Sequence, residues 1–152
     1  MGFLLALCVP GFLLAQGAAA EIEALLASDA VTYAQVARFA LEAADVAALA
    51  DPSEAFHFAM ERGWLPGRAE PDGLARLDSV ALLLMQSFGM GGGILFTLTG
   101  SAHFAYREME HKGFIRGRAS PSQMVSGETL LYLVGRALAQ TELAHLGAGD
   151  EG

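Results

Sequence analysis

The feature that most constrains this chain is an internal duplication. Gly63-Trp64-Leu65-Pro66-Gly67-Arg68-Ala69-Glu70-Pro71 returns, without a gap, as Gly113-Phe114-Ile115-Arg116-Gly117-Arg118-Ala119-Ser120-Pro121. The same offset pairs Ala55 with Ala105, Asp78 with Glu128, Val80 with Leu130 and Leu83 with Leu133. Chance similarity of two turns would not align the apolar helix positions as well. A repeat of about 50 residues is one supersecondary unit that cannot bury its apolar face alone and must stack on its neighbours.

Each unit has the same parts. A first helix is expected over residues 52–62, with Ala55, Phe56, Ala59 and Met60 on one face, and again over 102–112 with Phe104, Ala105, Tyr106 and Met109. Gly63 and Gly113 fit the position after a helix where φ is positive. An aromatic–aliphatic pair then folds back onto the core. A second glycine, Gly67 or Gly117, turns the chain, and a loop with Pro71 or Pro121 follows. A second, strongly apolar helix is expected over 77–88 and over 126–143, the latter opened by Ser126 as N-cap. A third copy of that second helix lies upstream, where Thr32 and Gln35 form a capping box. Only residues 21–30 precede it, so the chain carries two and a half units: 21–50, 51–100 and 101–146. A second copy of the chain could supply the missing half, giving a homodimer. Residues 147–152 read as a disordered tail.

The first segment is of another kind. Residues 1–20 carry no charge, and an apolar run ends in Ala18-Ala19-Ala20 before Glu21. That is the pattern of a secretory signal peptide cleaved after small residues, although no Lys or Arg precedes the run. Pro10 interrupts it, and it is short for a membrane span. Export to the periplasm or cell envelope is the expectation. Cleavage would also remove Cys8, the single cysteine, leaving a chain without thiols in an oxidising compartment. One cysteine excludes an intrachain disulfide framework and a cysteine-based zinc site. With 9 Lys and Arg against 17 Asp and Glu, the net charge is −8 and no basic stretch exists, which argues against nucleic acid as a partner.

The unit resembles an S-layer homology repeat. That family has a helix, a Gly-aromatic/aliphatic-aliphatic-x-Gly turn, a loop with proline, and a second helix opening with Ile-Thr-Arg-Ala-Glu or a variant. Here the turn occurs as Gly63–Gly67 and Gly113–Gly117. The opening matches Val31-Thr32-Tyr33-Ala34-Gln35, Leu74-Ala75-Arg76-Leu77-Asp78 and Val125-Ser126-Gly127-Glu128-Thr129. The resemblance implies an all-α pseudo-threefold bundle with the second helices packed centrally. It implies non-covalent anchoring to a cell-wall polysaccharide or peptidoglycan-associated polymer, without enzymatic activity and without a cofactor. In the family the arginine of the opening contacts anionic sugar. Arg76 matches it, while Tyr33 and Gly127 stand at the corresponding places of the other openings.

Candidate ligand-binding residues are therefore Arg76, Arg68, Arg118 and Arg116, whose guanidinium groups can hold an anionic glycan by paired hydrogen bonds, and Trp64, whose face suits a pyranose. Against this, Arg68 and Arg118 could be structural partners of Asp78 and Glu128, and Trp64 could pack in the core like Phe114. A second reading keeps the fold as a scaffold for an envelope protein. A third notes Glu54-x-x-His57, Glu108-x-x-His111 and Glu142-x-x-His145, the spacing of di-metal carboxylate sites, on helices short for such a bundle. Gly91-Gly92-Gly93 is not followed by the Lys-Ser/Thr of a phosphate loop, and Ile94, Phe96 and Leu98 are expected to tuck into the core.

Overall fold

A computed structural model describes residues 11–148. The fold is all-α: α1 Gly11–Leu26, α2 Tyr33–Ala43, α3 Pro52–Glu61, α4 Leu77–Ser87, α5 Ile94–Thr99, α6 Ala102–His111 and α7 Gly127–Ala148. No strand occurs among the described residues. Two isolated bridges join Thr32 with Leu74 and Arg76 with Met124.

Local chemistry accounts for the helix ends. The Thr32 hydroxyl accepts from the Gln35 amide while the Gln35 side chain accepts from the Thr32 amide, so two orphan donors of α2 are satisfied together. Asp51 caps α3 with Pro52 in its first turn, and Ser101 caps α6. The Ser126 hydroxyl accepts from the Thr129 amide and opens α7. Gly63 and Gly113 end α3 and α6 at φ 69° and 75°. At each end the glycine amide donates to Met60 or Glu110, and the next amide, of Trp64 or Phe114, donates to Ala59 or Met109. These are Schellman motifs, and they fold the aromatic residue back toward the core. Phe114 is buried and Trp64 half-buried.

The three helix openings close a ring of main-chain hydrogen bonds. The Val31 amide donates to Val125 at 2.9 Å, Val125 donates to Ala75 at 3.0 Å, and Ala75 donates to Val31 at 2.8 Å. An outer tier repeats the arrangement: Tyr33 donates to Gly73, Leu77 to Gln123 and Gly127 to Ser28. The carbonyls of Pro71 and Pro121 accept from Ala34 and Asp78. All three ring residues are almost wholly buried, so every amide and carbonyl there needs a protein partner and finds one. Around the ring α2, α4 and α7 bury Val36, Leu41, Val80, Leu83, Leu130 and Leu133 in a single apolar cluster. α3 packs on α2, α6 on α4, and α1 meets α7.

Several expectations need correction. α7 continues to Ala148, past the expected end at 143 and two residues into the expected tail; residues 149–152 lie outside the described residues. Nothing between Gly135 and Gly147 breaks a helix, so main-chain hydrogen bonding simply continues. Ile94 and Leu98 do not tuck in. They stand 78% and 76% exposed on α5, and only Phe96 of that trio is buried, because a six-residue helix points just one side inward. The expected signal segment falls partly on residues 1–10, outside the described residues. Its remainder forms the first half of α1, which runs through Ala20 without a break. None of the described helices is long and apolar enough to cross a membrane.

Candidate functional site

The ring settles which residues of the openings correspond. Val31, Ala75 and Val125 hold equivalent places, so Arg76 is equivalent to Thr32 and Ser126, the N-caps, and not to Tyr33 and Gly127. The alignment from Leu74 is one residue out of step. The place of the family's arginine is held by Tyr33, Leu77 and Gly127, and no opening has a cation there. Arg76 makes no cap bond. Its Nη2 donates to the Asp78 carboxylate at 2.8 Å. Asp78 is buried, and its other oxygen accepts from the Ser79 hydroxyl, which in turn accepts from Tyr33. Arg76 Nε is buried without a partner. The arginine thus serves the buried end of α4, its charge already matched.

The other sequence candidates separate. Asp78 is taken by Arg76, and Arg68 and Arg118 are exposed with no ion pair to Asp78 or Glu128. Trp64 leans edge-on against Phe58 at 6.3 Å between centroids, with the Arg62 guanidinium 3.4 Å above Phe58. It packs against the end of α3 and is half-buried. No three His, Cys, Asp or Glu side chains come within reach of one metal ion among the described residues, so the three Glu-x-x-His pairs do not converge.

Arg116 has different surroundings. It stands on the rim of a groove of about 380 Å³ between the Gly113–Gly117 turn and the starts of α4 and α7. Leu77, Phe114 and Leu133 form an apolar floor, while Gln123, Thr129 and Tyr132 complete the rim. Tyr132 is 42% exposed, so its ring is available to a ligand. One wall is fixed from behind: the Tyr106 hydroxyl on α6 donates to the Ala119 carbonyl at 2.5 Å. Burial, with a smaller contribution from Glu110, holds the Tyr106 phenol above its ordinary range, so it stays a donor. A guanidinium, an amide, a hydroxyl and an aromatic edge over an apolar floor can hold a sugar-sized ligand with an acidic substituent.

Gln123, Thr129 and Tyr132 escaped the sequence reading, since they lie on a loop and a helix that meet the turn only through the fold. The available signal was their neighbourhood to the Val125 opening.

No family model, no curated protein and no solved structure matches the chain.

Proposed function

We propose that this chain is an exported envelope module of S-layer-homology type that binds a cell-wall glycan or peptidoglycan-associated polymer without catalysis. The observation that carries the reading is the groove of Arg116, Gln123, Thr129 and Tyr132 over an apolar floor. Two further features support it. The closed ring joining three helix openings is what a threefold arrangement of such repeats requires. The charge is also uneven: residues 21–100 hold 11 carboxylates against 4 cations, whereas residues 101–146, which build most of the groove, hold 5 cations against 4 carboxylates. An anionic polymer meets its least repulsive face there.

Export draws support from α1. Residues 16–20 are all exposed, whereas Glu21 pairs with Arg38 and Leu25 is buried. Cleavage after Ala20 would leave the packed Glu21 and Leu25 in the mature chain.

Co-sedimentation with purified sacculi tests the reading. The chain should pellet with the wall, and Arg116→Ala with Tyr132→Ala should lower retention at least about tenfold, the effect of losing one charge-assisted hydrogen bond. Protein left wholly in the supernatant overturns it. A protein-scaffold reading is favoured by one observation, the exposed Ile94 and Leu98 of α5. Competition by soluble glycan separates the two.

A further inference from the structure

A second groove, of about 340 Å³, lies beside the first and is lined by Lys112, Phe114, Arg136, Ala139, Gln140 and Leu143. Phe114 belongs to both, so the two grooves flank one turn. They also share α7. Thr129, Tyr132 and Leu133 line the first groove, and Arg136, Gln140 and Leu143 continue the same row along the second. Steps of three and four keep these residues on one helix face. The second unit lacks this wall. There α4 ends at Ser87 after 11 residues, and the chain turns at Gly89 with φ 59°. The 50-residue offset places Ala139 opposite Gly89, but α7 runs on through it for 22 residues in all.

The charge of the two grooves is unlike that of the chain. Asp and Glu number 17 against 9 Lys and Arg, yet no carboxylate lines either groove, and three of the nine cations, Lys112, Arg116 and Arg136, do. Grooves elsewhere differ: Glu108 lines the one beside α5, and Glu21 one beside α1. Among the described residues neither Lys112 nor Arg136 forms an ion pair. The Arg136 guanidinium lies 5.3 Å from the Phe114 ring centre, a contact that positions a cation without neutralising it. Both cations are half-buried, so salt screens them less than free surface charges.

We infer that the second groove is a further subsite, which takes an acidic group, carboxylate or phosphate, on the continuation of a polymer seated in the first. The inference rests on the glycan reading and narrows its ligand. Lys112 and Arg136 supply charge-assisted donors and Gln140 a neutral one, while Phe114 and Leu143 meet the apolar edge of the ligand. From Tyr132 to Gln140 the helix rises about 12 Å. One sugar ring does not span that length. The ligand is therefore a chain with acidic groups on more than one of its units, held by Arg116 at one end and by Lys112 and Arg136 at the other.

Titration of the full chain with soluble probes tests it: an oligogalacturonate with a carboxylate on every ring, a poly(glycerol phosphate), and a neutral cello-oligosaccharide as control. At least one acidic probe should bind more tightly than the control, with an affinity that falls as salt rises. The preferred probe tells a carboxylated polymer from a phosphorylated one. Lys112→Gln with Arg136→Gln should weaken that binding at least about tenfold, with unchanged circular dichroism. Lys112→Arg with Arg136→Lys keeps both charges and should retain most of it. In NMR spectra the Gln140 side-chain amide should shift on titration, and should still shift in Arg116→Ala, where only the first groove is impaired. That readout needs no variant in the second groove. Equal affinity of the wild type and the double Gln variant, with Gln140 unmoved, overturns the inference and leaves the first groove as the whole site. A control that binds as tightly as both acidic probes does the same. Failure of both acidic probes to bind overturns it too, while retention on sacculi decides the glycan reading separately.

Discussion

The Val31 amide donates to the Val125 carbonyl at 2.9 Å, tying the opening of α2 to the opening of α7 across most of the chain. Both residues are almost wholly buried, and each also bonds to Ala75, so no helix opening can leave without stranding main-chain groups of the other two. Beside the ring, the start of α7 has no room for a side chain at Gly127. A Cβ there would collide with the Leu25 carbonyl, where the end of α1 crosses the start of α7.

Gly127→Ala is therefore expected to destabilise the fold by about 1–3 kcal/mol, the range for overpacking a tight contact. Urea unfolding checks it. An unchanged midpoint would mean that α1 does not close on α7.

Arg76 and Asp78 form a partly buried pair, with side chains 31% and 12% exposed. Asp78→Asn removes the charge but keeps the shape, leaving the guanidinium without its counter-ion. A loss of about 1–3 kcal/mol is expected. Arg76→Ala should also lower stability, yet leave retention on sacculi unchanged. Thermal unfolding and sacculus binding, measured side by side, distinguish this structural role from ligand contact.

Tyr106 supports the groove from behind through its bond to Ala119. Tyr106→Phe should cost about 1 kcal/mol, the net value of one such hydrogen bond. The phenol's pKa is raised in the folded chain by burial, then by Glu110. Its stabilising contribution is thus complete below the unfolded value of 10.0 and is lost as pH rises through the higher folded value. Denaturation followed across the alkaline range should show less loss of stability in Tyr106→Phe than in the wild type.

Asp45 ends α2 at φ 55° and is the one non-glycine residue with positive φ among the described residues. Its amide donates to Glu42 and the next amide to Leu41, the same motif that Gly63 and Gly113 build elsewhere. The Asp45 side chain is exposed. Asp45→Gly should therefore stabilise the chain by about 0.5–1 kcal/mol, by relieving the left-handed conformation. A fall in melting temperature would count against that account.

Much of the local structure was legible. The Thr32–Gln35 box, the Gly63 and Gly113 turns, and the helix starts at Pro52, Leu77 and Ala102 follow from short-range rules of capping, φ and periodicity. Arg76 was misplaced for a physical reason. Leu74 and Ala75 are both apolar, so the opening read by itself does not tell which one enters the ring, although the 50-residue offset that pairs Asp78 with Glu128 also pairs Ala75 with Val125. The long-range bonds from Ala75 to Val31 and from Val125 to Ala75 fix that register in the fold and agree with the offset of the duplication. Of the groove, Arg116 beside the Gly113–Gly117 turn was legible, while Gln123, Thr129 and Tyr132 were not, because they belong to a loop and a helix that meet that turn only through the fold.

By itself, then, the sequence determined an all-helical chain with its helix ends, turns and apolar faces, since each depends on residues within a few positions of one another. The tertiary structure alone decided which cation faces a groove and which is consumed by a neighbour. It also decided that α5 and the end of α7 leave apolar side chains in solvent. Those outcomes depend on which surfaces the ring at Val31, Ala75 and Val125 brings together, and no spacing along the chain encodes that contact directly.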